Sequence, residues 1–270
     1  MLVDVIQILA RWGIYLGVIG TAGTIFTVTT LWPSKETAIN RAFIRQANLA
    51  GIILLVSLIV NFILFLYAIS GRDWQLALSA DYVLVGLNSA VGRSFLLKLV
   101  GGIFILLGFR LRAFWLEIIG ALFIVSSFGV EGHSVSFGTR PYVTALLLVH
   151  LSLISWWLAV IWPLMAAQGE ERKKFARRFS NFAVYFVPLT IVTGLGMWYS
   201  YTGGIDLRDP YQIRLGLKLL FVFAILGVAV GNKLIFTERD QLKWPLRAEA
   251  VFALGATLFT SILITVSPSS

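Results

Sequence analysis

Long apolar runs constrain this chain more than any other feature. Seven or eight of them recur, each roughly 18–25 residues long, the length of helix that crosses a bilayer. Lipid offers no partner to backbone amides, so a crossing segment must satisfy its own hydrogen bonds as a helix. Hydrophobic residues make up 58% of the 270 residues and charged residues only 13%, with a mean hydropathy of +0.86. A soluble domain has no use for so much apolar surface. The fold class that follows is all-α, a polytopic membrane protein with eight transmembrane helices in a single transmembrane domain, residues 1–270. The runs lie at about Val5–Leu31, Ala47–Ile69, Val91–Phe109, Ala113–Phe137, Pro141–Trp162, Asn181–Tyr201, Tyr211–Gly231 and Leu246–Val266. Ser34–Gln46 and Gly71–Ser89 read as loops, and Arg110 with Arg112 as a tight turn. The first run lacks a basic n-region and a following small-residue cleavage site, so it reads as a membrane helix and not a removable signal.

The net charge of +9 would point to nucleic acid in a soluble protein. Here the basic residues gather in the connections after runs one, three, five and seven, above all in Arg172-Lys173-Lys174 and Arg177-Arg178. Short loops rich in Lys and Arg stay in the cytoplasm. Both termini and the Glu131–Pro141 turn therefore face the periplasm, and the expected partner is the lipid bilayer, not nucleic acid. Cysteine is absent, which removes disulfides, thiolate metal sites and a Cys nucleophile.

The halves echo each other. Trp32-Pro33 matches Trp162-Pro163, and Phe43-Ile44-Arg45 matches Phe175-Ala176-Arg177 at an offset of about 132 residues, which also relates Tyr67 to Tyr199 and Glu117 to Glu249. Leu96-Leu97-Lys98-Leu99 matches Gly216-Leu217-Lys218-Leu219. Four helices per unit is an even number, so the repeats, residues 5–137 and 141–267, are expected to be parallel and not inverted.

Two histidines are the whole supply of neutral-pH ligands, His133 and His150. His133 falls about one turn below the outer surface, and His150 lies nine residues past Pro141, roughly 13 Å in. On antiparallel neighbours the two rings would differ in depth by about one turn, within reach of one ion or cofactor. Around them, Glu131, Met197, Trp157 and Asp4 are candidate further ligands or site-shaping residues. Lys98, Lys218 and Arg140 are candidate contacts for a propionate or other anion. Lys98 and Lys218 could equally snorkel. Glu117 and Glu249 read as helix-start acids beside Arg112 and Arg247, and Gly194-x-Gly196 as a helix-packing position. No Walker, Rossmann, HExxH or GxSxG pattern occurs, so no catalytic residue is assigned and the chain reads as a non-enzyme.

Gly132-His133, Leu148-Val149-His150-Leu151, Trp156-Trp157-Leu158, Arg177-Arg178-Phe179-Ser180, Val192-Thr193-Gly194-Leu195, Pro210-Tyr211 with Leu217-Lys218-Leu219, Arg247-Ala248-Glu249 and Val266-Ser267-Pro268 follow one another in an order that resembles the copper-resistance D (CopD/PcoD) family of bacterial inner-membrane proteins. The resemblance implies eight membrane helices, copper movement across the inner membrane, and a periplasmic copper-binding partner of the CopC type. It matches His133 and His150 to the family's histidine positions. The residues leave a second chemistry open: haem b with the same two histidines as axial ligands, passing electrons and not ions.

Overall fold

The computed structural model describes residues 2–34, 37–131, 141–202, 210–231 and 243–265. The described residues are almost all helical, with no strand among them. The first span comprises α1 (Leu2–Val18), a π-helical turn (Ile19–Gly23) and α2 (Thr24–Leu31). Then come α3 (Ala38–Ile69), two short helices α4 (Trp74–Ala77) and α5 (Ala80–Asn88), α6 (Ala90–Leu111) and α7 (Phe114–Ser127). The second half holds α8 (Pro141–Ala159), α9 (Ile161–Ala166), α10 (Gly169–Thr202), α11 (Pro210–Gly231) and α12 (Lys243–Thr265). Six described segments are long and apolar enough to cross a membrane, and Phe114–Ser127 and Leu215–Gly231 are shorter apolar helices. The chain is a multi-pass, all-α membrane protein.

Two helices begin earlier than hydropathy predicts, because their first turns are polar yet anchored. The loop expected over Ser34–Gln46 is helical from Ala38. Thr37 caps it by accepting from the Asn40 amide at 3.2 Å, and Glu171 accepts from the Ile39 amide at 2.9 Å. An anion at a helix start satisfies orphan N–H groups and complements the dipole. Phe43 and Phe175, both buried, then meet edge to face at 5.9 Å. The expected Asn181 start of the sixth run likewise moves back to Gly169, and the loop expected over Gly71–Ser89 contains α4 and α5, with the Asp73 carboxylate accepting from the Gln75 and Leu76 amides. The chain turns at Trp32 (φ 42°) before Pro33 and at Arg112 (φ 56°), which ends α6 at the expected tight turn.

The helix expected to run to Phe137 ends at Ser127, and residues 128–131 form a turn instead; His133 and Arg140 lie outside the described residues.

A polar seam joins the first span to α8. Gly20 in the π turn abuts Ala50 of α3, and Gly23 abuts the backbone of Ser155 in α8. Thr27 donates to Gly23 O at 2.8 Å and lies 2.9 Å from Trp156 O, while the Trp156 indole donates to Thr30 Oγ1 at 2.6 Å. Gln46 of α3 donates to Thr24 Oγ1 at 3.0 Å and to Ala159 O at 2.9 Å. Trp156, almost fully buried, stacks on Phe179 with centroids 4.8 Å apart. In lipid, helices gain little from apolar contact with each other, so close backbone approach and shared hydrogen bonds carry the association.

A reciprocal glycine pair joins α6 to α7. A Cβ at Gly101 would stand 2.6 Å from Gly120 O, and one at Gly120 would stand 2.5 Å from Gly101 O. Gly101→Val should therefore force the helices apart and lower stability by about 1–3 kcal/mol. Gly227→Val, where nothing lies within 4 Å, should change stability by less than ~0.5 kcal/mol. Thermal unfolding of both variants in detergent checks this; equal effects would contradict the packing account.

Candidate functional site

His150 projects from α8 onto one face of α10. Its Nδ1 lies 2.9 Å from Thr190 O and 3.2 Å from Thr193 Oγ1. A carbonyl only accepts, so Nδ1 carries the proton and donates it, and Nε2 is left to present its lone pair. The acceptor is itself firmly placed. Thr190 and Thr193 are buried, and the Thr193 hydroxyl reaches Leu189 O at 2.8 Å and Thr190 O at 3.0 Å. The ring lies over Gly194, where a Cβ would come within 3.0 Å of Cε1. Two residues further along α10, a Cβ at Gly196 would stand 3.2 Å from Leu146 Cδ1. The Gly194-x-Gly196 pattern is thus a packing position, and its first glycine makes room for the imidazole.

This is the arrangement expected of a metal-binding histidine, one ring nitrogen held by a backbone carbonyl and the other presented as ligand. Met197, half-buried, follows Thr190 and Thr193–Gly194 on the same stripe of α10, one turn further out. Lys218 of α11 lies within electrostatic reach of His150. Trp157, two turns inward on α8, is buried in the main core cluster with Leu164, Phe175 and Ile225. Asp4 is exposed in the first turn of α1. Among the described residues, no three His, Asp or Glu side chains gather in one place.

A second polar group stands where α7 leaves its last turn. Lys98 of α6 is 3% exposed, and its ammonium reaches Glu131 Oε2 at 2.7 Å and also Ser94 Oγ. Ser94 Oγ donates to the same carboxylate oxygen at 2.5 Å. The ammonium lies 4.3 Å from the centroid of Phe128, which stacks on Tyr15 of α1 at 6.2 Å. Lys98 therefore neither snorkels nor stands open to an anion. Its partner is an acid 33 residues away, beyond what either helix reveals alone. The turn carrying Glu131 also touches α8, since a Cβ at Gly129 would lie 3.0 Å from Thr144 Cγ2. Thr144 is six residues, about 9 Å, outward of His150 along the helix.

Glu117 and Glu249 are both buried early in α7 and α12, with the Glu117 side chain packed against Gly108. Met165 lies half-buried against the core in α9.

Removing one partner of the Lys98–Glu131 pair strands a charge. Glu131→Gln or Lys98→Met alone should destabilise the protein by about 3 kcal/mol, and the double variant should recover most of that loss. A double-mutant cycle on thermal unfolding reads the coupling; additive losses would show that the pair does not interact.

Residues 173–266 match the family model described as Copper resistance protein D, a stretch running from the second turn of α10 through α12. Over these residues, about a third of the chain, the protein is similar to the copper resistance D family. The stretch includes Thr190, Thr193 and Gly194, the groups that hold His150, and Lys218 and Glu249. Among curated proteins and among solved structures, none matches the chain.

Proposed function

We propose that this protein is of the copper resistance D type, binds copper at the periplasmic side of the bacterial inner membrane through His133 and His150, and passes it inward or to a periplasmic partner of the CopC type. The observation that carries the reading is the Nδ1–H of His150 held by the carbonyl of Thr190; Thr190 lies within the segment that matches the family, while His150 precedes it. That hydrogen bond directs Nε2 to the role of ligand, and imidazole suits copper in either common oxidation state. Met197 on the same stripe offers a thioether, a donor that favours Cu(I). The second imidazole comes from His133, outside the described residues. Chain geometry keeps its Cα within about 7 Å of that of Glu131, two residues earlier. Glu131 is moored to Lys98 in the turn that rests on α8, and in this reading it supplies an oxygen donor or takes the place of His133. The haem reading remains the outcome of the same test; Lys98 supports it less, because Glu131 already neutralises that cation.

The architecture we propose is eight spans in two parallel repeats, residues 5–137 and 141–267, with both termini periplasmic. A two-fold axis along the membrane normal brings a residue onto its own equivalent only beside the axis. Contacts between residues 132 apart support this: Phe43 meets Phe175, and the Ile39 amide meets Glu171. The matching burial of Glu117 and Glu249 points the same way.

His150→Ala should abolish bound copper, since it removes the deeper and drier ligand. His133→Ala should weaken binding without abolishing it, because water or Glu131 can substitute near the surface. Copper content of the purified full chain, with its visible absorption spectrum, decides both points. A Soret band lost in His150→Ala would replace copper by haem, and copper stoichiometry unchanged in the double variant would place the site elsewhere. Separately, a reporter fused after residue 270 should be active only as a periplasmic reporter; activity of a cytoplasmic reporter there would overturn the topology.

A further inference from the structure

An open groove of about 610 Å³ runs between α3 and α6 on the outside of the bundle, far from His150 in the sequence and on other helices. Ile44, Asn48 and Ile52 line it from α3, and Ile103, Leu106, Leu107, Phe109 and Arg110 from α6. Its position follows from the glycines. A Cβ at Gly51 would stand 2.8 Å from Leu106 Cδ2, and one at Gly102 would stand 3.2 Å from Leu55 Cδ2, so the helices are closest at that level. The groove opens on the side of that contact leading to Ala38 and Leu111, the ends where the basic connections leave the bundle.

We infer that this groove seats one anionic phospholipid, its acyl chain along the aliphatic wall and its phosphate on Arg110. Three observations converge on that occupant. The wall is apolar apart from Asn48 and Arg110, mostly aliphatic with Phe109 the one ring. The stretch from Ile44 to Ile52 is about 12 Å long, most of the ~15 Å depth of one leaflet. The one charged lining residue, Arg110, sits at the end next to the basic connections, with the exposed Arg45 and Arg112 near it, where a headgroup would lie, and Asn48 is about one turn further in. Charge complementarity selects an anionic headgroup, and basic sites between membrane helices are a recurrent means of holding one. Asn48 adds a donor for a phosphate or glycerol oxygen.

The test is native mass spectrometry of the full chain in detergent, titrated with dioleoylphosphatidylglycerol and, separately, with dioleoylphosphatidylcholine. Wild type should retain one phosphatidylglycerol roughly fivefold more tightly than phosphatidylcholine, the worth of about one guanidinium at such a surface. Arg110→Gln should lose that preference and Arg110→Lys should keep most of it. Leu107→Trp, which fills the groove, should weaken both lipids. Arg93→Gln, at the opposite end of α6, should change nothing. Equal affinity of the two lipids for wild type would overturn the assignment without recourse to any variant. So would a preference that survives Arg110→Gln, or one that Arg93→Gln removes as well. Displacement of phosphatidylglycerol by inorganic phosphate would show that the arginine takes the free ion, and the lipid would cease to be the occupant.

Discussion

An imidazole inside a bilayer must give its N–H to something, because lipid accepts no hydrogen bond and an orphan donor there is costly. In this protein the acceptor is Thr190 O, 2.9 Å from His150 Nδ1, and much of the site follows from that one contact. It fixes the tautomer. It turns the ring toward α10, where Gly194 leaves room for it. It leaves Nε2 without a proton, the nitrogen that the proposed ion would use. The threonines around it serve the same economy, returning their own hydroxyls to carbonyls of their own helix, at Phe186 for Thr190 and at Leu189 and Thr190 for Thr193. The result is a polar spot deep in an apolar pair of helices that exposes one basic nitrogen and satisfies the donors beside it.

The same logic organises the rest of the bundle. Thr24, Thr27 and Thr30 are embedded between helices and join Gln46, Trp156 and the α8 backbone into one seam, with the π turn delivering Gly20 and Gly23 to the close contacts. Lys98 and Glu131 neutralise each other beside Phe128, so a buried cation is admitted to the bundle only with its counter-ion. At the basic end, Glu171 caps α3 and Arg178 reaches Leu31 O at 3.3 Å, so the charged connection after the fifth run is also a clamp on the first two.

The apolar runs were legible because span length is imposed by the bilayer, and Trp32-Pro33 and Arg112 were legible as ends because the chain must turn there. The first turns of α3 and α10 were not. Residues 38–46 and 169–180 carry several polar side chains, and the start of α3 is held partly by Glu171 from the other half of the chain, a contact no local pattern carries. His150 and Gly194 stood out singly, one as a rare ionisable group and the other as a small residue in an apolar run. That the one sits on the other is a tertiary fact, hidden because helices buried in protein and lipid are apolar on every side and do not announce which face meets which neighbour. Lys98 left snorkelling and anion binding equally open for the same reason, since its carboxylate lies 33 residues on. The echo between halves is a pattern of the sequence, and Phe43 against Phe175 is a contact that the proposed parallel arrangement would put beside its axis.

The most direct measurement is ¹⁵N NMR of the histidine-labelled protein in nanodiscs, with a His133→Gln variant to isolate the signal of His150. The account predicts that the metal-free ring is the Nδ1–H tautomer with Nε2 unprotonated, and that adding copper(I) moves the Nε2 resonance while Nδ1 keeps its proton. An Nε2–H tautomer, or a ring whose nitrogens both ignore copper(I), would contradict it.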